Sequence, residues 1–178
     1  YSCDQRKAGL FRIVPAREVG DVTTFEKMPA RLSGAHGLLW FRDALYAVVN
    51  GGMDGKDGLY RVTDKDGDDR PDHVELLRAF EGSGEHGPHS IEVAPDGEHL
   101  LVLNGNMTKL TELTGNRVPS EWQEDRLTPR INDARGFWGG YSPPGGCLYQ
   151  IDPDAKTWEL ICCGFRNPFD FAVLPNGQ

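Results

Sequence analysis

The chain has 178 residues, with 27 Asp and Glu against 19 Lys and Arg and a formal net charge of −8. That balance argues against nucleic acid or an anionic membrane surface as partner, because both need clustered cations, and no apolar run approaches the ~18 residues that would span a bilayer. Eight Phe, five Tyr and four Trp still supply enough large apolar area for a packed core.

In chain order the apolar pattern is strand-like nearly throughout: short β-rich runs punctuated by Gly, Asn, Asp and Pro. Residues 9–32 read as the outer strands of a first unit. Four strands are then predicted at about 36–41, 45–49, 58–62 and 73–80. A second set of four is predicted at 89–94, 99–103, 147–151 and 158–163, and a further inner strand starts at Phe169. No stretch gives an amphipathic helix. One weak helical turn is predicted at Pro119-Ser-Glu-Trp122, where a Ser precedes an acidic residue.

The pattern repeats. His36-Gly-Leu-Leu-Trp-Phe-Arg-Asp43 is paralleled 53 residues later by His89-Ser-Ile-Glu-Val-Ala-Pro-Asp96, and again by Phe169-Asp-Phe-Ala-Val-Leu-Pro-Asn176. In the first two copies the following strand ends in Asn, at Asn50 and Asn104. A period near 50 residues with four short strands per repeat is the signature of a β-propeller blade. The fold class expected is therefore all-β: a partial β-propeller of about three four-stranded antiparallel blades, in one domain over residues 1–178. An insertion at about 105–145 interrupts the second blade. Since a propeller needs at least about four blades to close, the chain is expected to be an internal portion of a larger ring.

Counting back three residues from each predicted inner strand gives Ser33, His86 and Arg166. Propeller topology makes these equivalent positions on one face, which the insertion shares. His86 and Arg166 are accordingly expected within ~12 Å of each other, the reach of a small-ligand pocket. Insertions of such length commonly form lids or binding walls, and Trp138 and Tyr141 are the expected substrate contacts. His86 is either a general base, imidazole titrating near neutrality, or a turn histidine bonded to backbone. Glu85 beside it is expected to orient or charge-stabilise the ring. His36 and His89, opening inner strands, are expected to satisfy backbone groups. Arg166 has a rigid fork of donors suited to carboxylates or quinone oxygens; the alternative is pairing with a structural carboxylate.

Asp64, Asp66, Asp68 and Asp72 stand at positions 1, 3, 5 and 9 of a run that has Glu75 at position 12, the oxygen-ligand spacing of a calcium loop. Asp69 takes the place of the usual Gly, so bound structural calcium and a plain acidic hairpin turn both remain open. The cysteines (Cys3, Cys147, Cys162, Cys163) lack zinc or haem spacing. They read as small core fillers, or as a Cys147–Cys162 cross-strand bridge.

With these residues assembled, the chain resembles the quinoprotein glucose/sorbosone dehydrogenase family. His86-Gly-Pro-His-Ser-Ile-Glu-Val-Ala-Pro-Asp96 is similar to the family's stretch with the catalytic base. Gly164-Phe-Arg-Asn-Pro168 is similar to the stretch that contacts the quinone. Over nearly its whole length the chain also resembles large secreted proteins of planctomycete-type bacteria, in which such a propeller is joined to a C-terminal c-type haem domain. The resemblance implies oxidation of a sugar or related alcohol by pyrroloquinoline quinone (PQQ), in a periplasmic or secreted protein. His86 would take the hydroxyl proton, Arg166 would stabilise charge on the quinone oxygen with Asn167 and Glu85 nearby, and electrons would leave to a cytochrome. The competing expectation is a non-catalytic propeller that binds carbohydrate or docks a haem domain.

Overall fold

The computed structural model describes residues 1–4, 8–52, 56–82, 84–118, 144–174 and 176. They are all-β, without a helix among them, in three sheets. The chain divides into two compact units, Tyr1–Ala79 and Phe80–Gln178.

The first unit holds two sheets. Strands β1 (Ser2–Cys3), β2 (Leu10–Val14) and β3 (Thr24–Lys27) pair antiparallel in that order. Strands β4 (Ala35–Phe41), β5 (Ala44–Val49), β6 (Gly58–Thr63) and β7 (His73–Ala79) form an antiparallel meander. Each lies within a residue or so of its predicted span. The β4–β5 hairpin turns on Arg42 and Asp43, both at positive φ, the combination that matches the twist of paired strands. Every residue of β5 is buried, as a continuous apolar run predicts for a strand covered on both faces. Leu10, Met28 and Leu32 pack with Leu45, Val49 and Val62 in one core. At the surface Arg12 bonds both Glu26 and Asp69, tying the three-stranded sheet to the turn after β6.

The second unit is one five-stranded sheet. Strands β8 (Pro88–Val93), β9 (Leu100–Asn104), β11 (Gly146–Ile151) and β12 (Trp158–Phe165) form the antiparallel part, again at the predicted spans. The fifth, β10 (Gly115–Asn116), was not expected. It runs parallel to β12 on the outer edge, so part of the insertion becomes sheet. Trp158 fills the core, edge-on to Tyr149 at 5.4 Å and to Phe80 at 5.8 Å, with its indole N–H donated to the Ala155 carbonyl.

Two expectations are corrected. Residues 169–174 are not a strand: they pair with no strand among the described residues, and the Phe171 N–H goes to the Asp170 side chain rather than into a ladder. Cys147 does not face Cys162: the register sets Cys163 opposite Cys147 and Leu148 opposite Cys162, and none of the four cysteines is in a disulfide. A bulge between Leu148 and Tyr149 shifts the pairing downstream. Burial holds the Cys147 thiol up at about 12, which agrees with a core filler.

The β8–β9 turn yields a pH prediction. The backbone N–H of His99, then that of Glu98, holds the Asp96 carboxyl down at about 2. A carboxyl whose pKa falls on folding adds stability above its unfolded value, near ~4, and loses that contribution as pH drops toward the folded value. Asp96→Asn should therefore flatten the fall in stability between pH ~4 and ~2, read as urea midpoints across that range. An unchanged acid limb would refute the assignment.

Candidate functional site

The site lies in the second unit, where the segment before β8, the start of the insertion and the segment after β12 meet. His86 is 2 % exposed. Its Nδ1 is 2.8 Å from Asn106 Oδ1. Facing a carboxamide oxygen, Nδ1 carries the proton, which leaves Nε2 as the basic nitrogen. Nε2 is 3.5 Å from Arg166 Nη1. The two side chains predicted to share a pocket are thus in contact, although 80 residues separate them.

Backbone bonds fix this arrangement. The Asn106 N–H donates to the Arg166 carbonyl at 3.0 Å, and the Met107 N–H to the His86 carbonyl at 3.0 Å. The Gly105 N–H donates to the Gly87 carbonyl at 2.8 Å. The chains approach so closely that a Cβ on Gly105 would sit 2.3 Å from the His86 carbonyl oxygen. Gly146 is constrained in the same way, at 2.6 Å from the Asn104 carbonyl oxygen.

A second bridge holds the segment after Arg166. Ser90 Oγ donates to Asp170 Oδ1 at 2.7 Å, which also accepts the Phe171 N–H. The ring of Phe169 lies 5.3 Å from that of His89. Burial, and next the Asp170 charge, raise the Glu92 carboxyl on the same strand. The Asn104 carboxamide is 1 % exposed, and neither its oxygen nor its nitrogen has a hydrogen-bond partner among the described residues.

The remaining predicted positions fall as follows. Glu85 is exposed, and the role of orienting the His86 ring belongs to Asn106 instead. Asn167 is exposed beside Arg166. His89 is buried in β8 and His36 half-buried in β4. Trp138 and Tyr141, with the helical turn predicted at 119–122, lie outside the described residues. Asp64, Asp66 and Asp68 bring carboxylate oxygens within 4.8 Å of one another. The five-residue calcium set is not assembled, however. Glu75 lies directly across from Arg61 and bonds it at 2.9 Å, and Asp72 stands apart from the cluster. Both Asp64 oxygens already accept backbone N–H groups, from Gly67 and Asp69.

Sequence reasoning missed Asn106 and Asp170. Asn106 was within reach, as the second residue of an insertion expected on the His86 face. Asp170 was not, because its bond to Ser90 depends on tertiary folding. Comparison with protein-family models, curated proteins and solved structures finds no match for this chain.

Proposed function

We propose that this chain is part of a quinone-dependent, sugar or alcohol dehydrogenase-like β-propeller, in which hydride leaves a carbohydrate-type substrate and electrons pass to a c-type cytochrome. The observation that carries the reading is the contact of Arg166 with an imidazole whose Nδ1 is held by Asn106, leaving Nε2 as base. The repeated four-strand antiparallel pattern supports the propeller, and the periplasmic or secreted location rests on the same resemblance.

The site offers an oxygen-rich cofactor one guanidinium, that of Arg166, whose fork of donors suits carboxylate or quinone oxygens. PQQ, when bound, supplies the two-electron acceptor. His86 Nε2 takes the hydroxyl proton as the carbonyl forms. Asn106 keeps the ring in the tautomer that can do so, and Arg166 favours negative charge on a nearby oxygen.

A second reading, a non-catalytic propeller that binds carbohydrate or docks a haem domain, is favoured by the burial of His86. Reconstitution of the parent protein with PQQ and calcium, assayed by dye reduction with aldoses, separates the two. Dehydrogenase activity that falls ~10²–10⁴-fold in His86→Ala supports the first. Absence of quinone retention, with any residual activity indifferent to that substitution, leaves the binding module.

A further inference from the structure

A cavity of about 460 Å³ opens in the first unit, within the size range of small-molecule sites. Its lining combines two kinds of group. Val49, Val74 and Leu76 give apolar walls. Arg31 and Lys56 are exposed cations with no ion-pair partner among the described residues, against one carboxylate, Asp72. Ser33 also borders the cavity and is 2 % exposed, its hydroxyl closed off from solvent. The Tyr60 hydroxyl donates to the Lys56 carbonyl, which ties the ring in the lining to the segment that carries the lysine.

We infer that this cavity is a binding site for a small organic monoanion, a carboxylate on an apolar body. Among the described residues, two cations against one carboxylate leave a single positive charge to match. Arg31 and Lys56 meet the carboxylate, and the aliphatic walls with Tyr60 cover the apolar part. The site is independent of the dehydrogenase reading and uses none of its residues.

The test is a titration of the 178-residue chain with sodium benzoate, followed by amide ¹H–¹⁵N shifts. Saturable shifts at Ser33, Val49 and Gly52 are expected, with a Kd of ~1 mM for a ligand of this size. Benzamide, its uncharged isostere, should bind ~10-fold more weakly, and Arg31→Ala/Lys56→Ala should weaken benzoate by a similar factor. The single surface variant Lys56→Gln gives the same reading with less risk to folding. Three results would each overturn the inference: no saturable shift at those amides, benzamide binding as well as benzoate, or inorganic phosphate matching benzoate and so showing that the apolar walls are unused.

Discussion

Alanine in place of Gly105 should cost the chain stability and dismantle the His86 site together. The added Cβ would sit 2.3 Å from the His86 carbonyl oxygen and 2.7 Å from its carbonyl carbon. Those are backbone atoms, which cannot swing aside as a side-chain tip can. The segment before β8 and the one after β9 must separate, which weakens the bonds from Gly105 N–H to Gly87 and from Met107 N–H to His86. Overpacking of this kind costs ~3 kcal/mol. Asn106, the next residue, moves with Gly105, so Nδ1 loses its acceptor. The expected readouts are a lowered urea midpoint and loss of the protected Nδ1–H signal of His86. Gly97→Ala is the control. Gly97 has φ +69° and open space around it, so alanine there strains the backbone by ~1 kcal/mol and leaves the imidazole signal untouched. A Gly105→Ala protein with a wild-type midpoint would show that the close approach does not hold in solution.

Trp158→Ala should be the most destabilising single change in the second unit, at ~3–5 kcal/mol. The indole is fully buried and meets Tyr149 and Phe80 edge-on. Truncation leaves a large cavity that the strand backbone cannot collapse to fill. Set against a typical domain stability of ~5–15 kcal/mol, the loss brings the unit close to unfolding at 25 °C. Trp158→Phe separates the two contributions. It keeps an aromatic ring but leaves the Ala155 carbonyl without its donor, an added cost of ~1 kcal/mol beyond the volume change. Urea midpoints for the pair test this. If Trp158→Ala falls within 1 kcal/mol of wild type, the ring cannot be the centre of the core.

The strands were legible because their signals are local. Leu45–Val49 and Leu100–Leu103 are apolar runs closed by Asn50 and Asn104, and the Asp96-Gly97 turn is written in the sequence beside its strands. The features missed are those created by register or by distant partners. Glu75 looked like a twelfth-position ligand until pairing set it across from Arg61. Strand β10 is only Gly115 and Asn116, recruited by bonds from Thr114 N–H to the Trp158 carbonyl and from Arg117 N–H to the Leu160 carbonyl. Residues 169–174 carry the right alternation but no ladder partner among the described residues. At the site, the repeat spacing brought His86 and Arg166 to one place. That spacing alone did not single out Asn106, although its place at the start of the insertion put it on the His86 face.

The 80-residue separation between His86 and Arg166 also bears on how the chain folds. Ser90 and Asp170 are bridged across the same span. Closing a flexible loop of that length costs about 4 kcal/mol of chain entropy. Contacts so remote in sequence form slowly, because the chain must be drawn together before any of them contributes. The hairpins β8–β9 and β11–β12 close over much shorter spans and can form earlier. The imidazole–guanidinium contact is therefore among the last native features to appear on refolding and among the first to be lost.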